Sequence, residues 1–90
     1  MNWQVYMILC SDQSIYTGIS NNVLKRYQQH ACRRGAKYFR GHSPLQLIYI
    51  ERGHDRSSAS KREYAIKKLT PAKKMDLIKA PGNVIADFLQ

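Results

Sequence analysis

Val5-Tyr6-Met7-Ile8-Leu9-Cys10-Ser11-Asp12-Gln13-Ser14-Ile15-Tyr16-Thr17-Gly18-Ile19-Ser20 decides how this chain folds. Two apolar runs rich in β-branched and aromatic residues flank a short polar segment with turn chemistry, which reads as an antiparallel hairpin. Loop parity decides whether Tyr6 and Tyr16 share a face. A three-residue loop of Asp12, Gln13 and Ser14 with a bulge sets Cys10 opposite Tyr16 and puts both tyrosines on one face. A four-residue loop separates them. The bulge position favours a positive φ, where glycine is the natural residue, yet Gln13 stands there.

Beyond the hairpin, Asn21 or Asn22 caps a helix running to about Arg34 and stopped by Gly35. Its apolar stripe is Val23, Leu24, Tyr27 and Ala31, with Arg26 and His30 stacked on one edge at i and i+4. A basic loop with two aromatics follows, from Gly35 to His42. Leu45 to Ile50 reads as a third strand, and Gly53-His54-Asp55 as a turn. Ser57 to Leu69 reads as a second helix with Ala59, Ala65, Ile66 and Leu69 apolar. Thr70 and Pro71 begin a third helix through Ile78, and Ala80-Pro81-Gly82-Asn83 ends it. The expected class is α+β: one domain over residues 1–90 with a small three-stranded antiparallel sheet flanked by helices, in the order β-β-α-β-α-α. Its core spans about 4–79, and 80–90 form a tail or a short extra turn.

Ninety residues, 43% of them hydrophobic, suit one modest core rather than a disordered chain. No apolar run approaches the ~20 residues of a membrane span. The start lacks a signal peptide pattern, so a cytoplasmic setting is expected. Cys10 and Cys32 form no CxxC pair and read as free thiols, and the histidines match no zinc spacing. Fifteen Lys and Arg against six Asp and Glu give a formal net charge of +9. Such an excess attracts polyanions, nucleic acid above all. Lys25, Arg33, Lys37, Tyr38, Arg40 and Lys67 are the candidate nucleic-acid contacts.

The carboxylates are few, and no acidic pair or DxD-type cluster suggests a two-carboxylate metal site. Glu51, Asp76 and Asp87 read as surface or strand-end charges. Glu63 lies about 40° from Ala59 and about 60° from Ile66 on the helical wheel, at the edge of the apolar stripe. Two ordinary readings compete for it. Ser60-x-x-Glu63 is a capping box if the helix starts late, and Glu63 with Lys67 is an i,i+4 ion pair. Spacing alone favours these over a metal ligand.

The ordered set of residues resembles the GIY-YIG nuclease superfamily over residues 4 to about 79. Val5-Tyr6-Met7 stands at the first tripeptide and Tyr16-Thr17-Gly18 at the second. Arg26 then follows at the family's spacing, with His30 one turn later as in some members. Lys61-Arg62-Glu63-Tyr64-Ala65-Ile66-Lys67-Lys68-Leu69 looks like the family's glutamate helix. The resemblance is closest to the small stand-alone bacterial proteins of the superfamily. The first tripeptide keeps only its tyrosine, and the asparagine that many members place after the glutamate has no clear counterpart.

The resemblance implies an endonuclease that hydrolyses phosphodiester bonds in DNA, selective for DNA structure and linked to repair or recombination. Tyr6, Tyr16, Arg26, His30 and Glu63 would be catalytic, with Glu63 holding one Mg²⁺ or Mn²⁺. Either tyrosine would orient or deprotonate the attacking water, its pKa lowered by Arg26, His30 and the metal, or His30 would accept the tyrosine's proton. The rival expectations are a nucleic-acid-binding module of the same fold without turnover, and a protein-interaction domain within a larger repair assembly.

Overall fold

The computed structural model describes residues 2–31 and 43–88. Cys32, Arg33, Gly35, Lys37, Tyr38, Arg40 and the side chain of Ala31 lie outside the described part. Strands β1 (Trp3–Cys10), β2 (Ile15–Ser20) and β3 (Pro44–His54) form an antiparallel sheet of order β2-β1-β3. Helices α1 (Val23–Ala31), α2 (Arg56–Lys67), α3 (Pro71–Lys79) and the short α4 (Ile85–Phe88) complete the chain. The α+β architecture is the expected one, with α4 added.

The hairpin loop sits one residue earlier than the sequence suggests. Ser11, Asp12 and Gln13 form it: the Gln13 amide donates to the Cys10 carbonyl at 2.9 Å and the Cys10 amide to Ser14 at 2.9 Å. Gln13 adopts the left-handed conformation (φ 68°) that a bulged three-residue loop requires. Asp12 supports the turn by accepting from the Ser14 amide at 3.1 Å and the Ser14 hydroxyl at 2.6 Å. Tyr16 therefore opposes Ile8, not Cys10. The shift keeps the parity, so Tyr6 and Tyr16 stay on one face.

Period-two alternation gives β1 two buried faces. Tyr6, Ile8 and Cys10 pack with Val23, Leu47, Ile50 and the partly buried Tyr16, Tyr27, Val84 and Ile85. Val5 and Met7 pack on the other side with Tyr49, Ala59, Ile66 and residues of α3. A shift in register between Met7↔Tyr49 and Ile8↔Leu47 makes Ile48 an extra residue, which is how Leu47 and Ile50 come to share a face. β3 runs on through the expected turn as far as His54, where Gly53 takes φ 88° beside a second irregularity.

Asn22 caps α1, its side chain accepting from the Lys25 amide at 3.2 Å. The buried stripe of α1 is rotated from expectation. Val23 and His30 are buried and Arg26 and Tyr27 half-buried, whereas Leu24 is 45% exposed. Polar groups that find partners on the sheet displace the leucine. Asp55 caps α2 in a reciprocal box with Ser58, so Ser60 lies inside the helix and the late-start capping box for Glu63 does not exist. Ala65 faces solvent, while Ala59 and Ile66 are buried. Thr70 caps α3 by accepting from Lys73 at 3.3 Å, with Pro71 in the first turn.

The segment expected as a tail is part of the fold. The Asn83 side-chain oxygen accepts from the amides of Ile50 and Ile85, each at 3.1 Å. Its NH₂ donates to the carbonyls of Ile48 at 3.0 Å and Ile78 at 2.9 Å. The Val84 amide adds a bond to Ile50 at 2.9 Å. Asn83 is thus a structural asparagine downstream of Glu63.

Candidate active site

Three of the predicted residues meet on the face of the sheet covered by α1. Tyr6 projects from the central strand, Tyr16 from β2 and His30 from the helix. The Tyr6 hydroxyl and His30 Nε2 are 2.9 Å apart. Ring centroids lie 6.2 Å apart for Tyr6 and Tyr16, 6.1 Å for Tyr6 and His30, and 5.3 Å for Tyr16 and His30. Gly18 leaves room for them. An added Cβ there would lie 2.6 Å from the Tyr6 hydroxyl and 2.9 Å from Tyr16 Cε2.

Burial sets the protonation states. It holds the His30 pKa down at about 4, helped by the Arg26 charge, so the imidazole is neutral near pH 7. Burial pushes the Tyr6 phenol well above its ordinary value, reinforced by Tyr16 and opposed by Arg26. Tyr16 is raised as well: burial dominates, Arg26 lowers it, the Glu63 carboxylate raises it, and a hydrogen bond from Tyr6 draws it back. The expected lowering of the tyrosines is thus not met by the protein's own groups. Arg26 acts in the expected direction, but burial outweighs it, and a neutral His30 contributes no charge.

Arg26 is fixed by donating from Nη1 to Gln29 Oε1 at 3.0 Å. It lines an open polar cleft of about 240 Å³ with Ser20, Asn21, Asn22, Lys25 and Gln29. The expected contact Lys25 therefore stands in the cleft wall beside Arg26, with the three amide side chains of Asn21, Asn22 and Gln29, whose NH₂ groups can donate to phosphate oxygens.

Glu63 comes from α2, which packs against β2, and it lies close enough to Tyr16 for its charge to act on the phenol. Its side chain is 23% exposed, and Lys67 Nζ stands 3.5 Å from Oε2. The ion pair read from spacing is therefore real, and Lys67 is the glutamate's partner. Among the described residues no three or more His, Cys, Asp or Glu side chains gather as metal ligands. A cation here would draw one protein carboxylate and otherwise water or substrate oxygens. This donor set fits hydrated Mg²⁺ or Mn²⁺ and does not fit structural zinc.

The sequence reading missed Glu51. It is no surface charge: 17% exposed, it accepts from the Tyr49 hydroxyl at 2.5 Å and from Arg62 Nε at 3.0–3.1 Å, and pairs with His54 Nε2 at 2.7 Å. Burial raises its pKa, but these hydrogen bonds and the Arg62 charge prevail and leave it below the ordinary value. The cluster ties β3 to α2 next to Glu63. The spacing Glu51-x-x-His54 was visible in the chain, but the partner Arg62 comes from another element.

A hairpin with paired tyrosines, a helix with arginine and histidine, and a second helix with glutamate define a GIY-YIG domain. Residues 2–76 match the family profile of the GIY-YIG catalytic domain, and the chain belongs to that family, whose members are generally nucleases acting on nucleic acid. The UPF0213 protein DP2720 of Desulfotalea psychrophila is 48% identical over 79 residues, 87% of this chain and 72% of that protein. The UPF0213 protein CPE1444 of Clostridium perfringens is 47% identical over 78 residues, covering 87% and 83% of the two chains. The solution NMR structure of the UPF0213 protein BH0048 from Bacillus halodurans superposes with a TM-score of 0.58 at 35% identity, over 99% of this chain and 95% of that one.

Proposed function

We propose that this protein is a divalent-metal-dependent endonuclease that hydrolyses phosphodiester bonds in DNA, with selectivity drawn from DNA structure and a role in repair or recombination in the cytoplasm. The observation that carries this reading is the cluster of buried Tyr6 and His30 with the partly buried Tyr16, on which Arg26 and Glu63 both act electrostatically.

Tyr16 is the less buried tyrosine and feels both charges, so it stands at the reacting phosphate and orients the attacking water. Tyr6 sits behind it. With one tautomer of neutral His30, the Tyr6 hydroxyl donates to Nε2. With the other, Nε2–H donates to Tyr6, which can then donate to Tyr16 and stabilise its ionised form. The histidine thus sets the direction of a short hydrogen-bond relay. Arg26 and Lys25 bind phosphate oxygens in the cleft, where Arg26 offsets charge developing in the transition state. Glu63 would hold the Mg²⁺ or Mn²⁺, which when bound polarises the phosphate and stabilises the leaving oxygen.

Wild type and Glu63→Gln are incubated with labelled single-stranded, duplex and branched DNA in Mg²⁺, Mn²⁺ or EDTA. Metal-dependent cutting by wild type alone is expected. Binding by both proteins without cutting under any condition refutes the nuclease reading and leaves a binding module. Arg26→Ala should lower turnover far more than affinity, and equal losses would reduce it to a plain phosphate contact.

A further inference from the structure

The outer side of α2 presents an aromatic ring that the fold does not use. Tyr64 follows Glu63 directly and is 64% exposed. Helix geometry places Lys61, Lys67 and Lys68 around it at i−3, i+3 and i+4, and all three are exposed. The ammonium of Lys68 stands 4.0 Å from the ring centroid. Lys67 also pairs with Glu63, so the lysine girdle runs without a break into the candidate active site.

We propose that Tyr64 is a stacking platform for a nucleobase that is free of duplex stacking, on the strand whose backbone reaches Glu63, with Lys61 and Lys68 on the adjacent phosphates. An acidic peptide would engage the lysines without needing the ring, and an anionic lipid surface would need a broad apolar face beside them, whereas Tyr64 is the one large exposed hydrophobic residue of α2. A polyanion that carries planar rings uses both. Stacking on tyrosine needs no particular base, because every base has a π face. The free base belongs to a single strand, a flap, or a nucleotide turned out of a duplex. This inference rests on the nuclease reading.

The test measures binding in EDTA, so that affinity is read without turnover, using fluorescein-labelled single-stranded, flapped and blunt duplex DNA. Tyr64→Ala is expected to weaken single-strand binding by about 5- to 100-fold, and Tyr64→Phe to stay within about twofold of wild type. Affinity for the blunt duplex should hardly change. A flap bound like the single strand assigns the base to an unpaired end, and a loss on the duplex smaller than on the strand assigns part of it to a turned-out nucleotide. An abasic site scanned along the strand should weaken wild type at one position and leave Tyr64→Ala indifferent there. Wild-type affinity of Tyr64→Ala for the single strand, or an equal loss on strand and duplex, overturns the platform. If wild type then still cuts DNA with metal, the nuclease reading stands without it. Wild type that neither binds nor cuts removes both.

Discussion

Gly18 lies directly opposite Tyr6 across the β1–β2 ladder, and a methyl group on it would collide with the ring at the hydroxyl end, 2.6 Å from the oxygen and 2.7 Å from Cζ. The glycine of the second tripeptide is therefore a seat for the tyrosine of the first. Tyr6 cannot yield freely, since it is buried and bonded to His30. Gly18→Ala is expected to cost about 1–3 kcal/mol by overpacking and to break the Tyr6–His30 bond. Urea unfolding reads the first effect and the imidazole NMR shift of His30 the second. An unmoved His30 signal would contradict this packing.

His30 should make stability depend on acid. Its pKa is about 4 in the folded protein and near 6.5 in an unfolded chain. Between these values the unfolded chain binds a proton that the native one refuses. The stabilisation is therefore complete above about pH 6.5 and is lost as pH falls towards 4, in all roughly 3 kcal/mol. Urea midpoints across this range should slope for wild type and flatten for His30→Gln. Parallel curves would mean that the imidazole titrates as it does in water.

Thr17 faces the other way from the tyrosines, opposite Met7, and its hydroxyl has no hydrogen-bond partner among the described residues although it is 2% exposed. Thr17→Val keeps the shape and removes the desolvated hydroxyl. A gain of about 1 kcal/mol is expected, with the tyrosine cluster unchanged. A loss of stability on calorimetry would show that the hydroxyl is satisfied.

The Asn83 side chain joins β3, the end of α3 and the start of α4 through four hydrogen bonds. Asn83→Ala is expected to destabilise by about 2–3 kcal/mol, since four partly buried backbone groups lose their partner together. Once folded, the variant should retain the wild-type Tyr6–His30 contact. Stability within error of wild type would remove Asn83 from its structural role.

The strands and the helices were legible because they follow from local periodicity, whereas the shared face of Tyr6 and Tyr16 hung on loop parity, which periodicity leaves open. The loop register was not legible, because it turned on whether Gln13 would accept a positive φ without being glycine, and neighbouring contacts settle that. The stripe of α1 was misread for a related reason. Hydrophobicity put Leu24 inside, whereas His30 is buried because Tyr6 offers it a hydrogen bond from a distant strand. Glu51 shows the same limit: its burial depends on Arg62 and Tyr49 converging from two elements. Glu63 could be placed at the edge of its stripe from spacing, but its closeness to Tyr16 exists only in the fold.

Strand order β2-β1-β3 leaves β3 at a margin of the sheet, where open backbone groups would pair with any passing strand. Asn83 and Val84 occupy the polar groups of Ile48 and Ile50 along that margin. A chain cut back to residue 79 would keep every proposed catalytic side chain and lose this guard. Its failure would show first as self-association: clumping during expression, growing with concentration, by molecules that have also lost the apolar cover of Val84 and Ile85 over the core that seats Tyr6 and Tyr16.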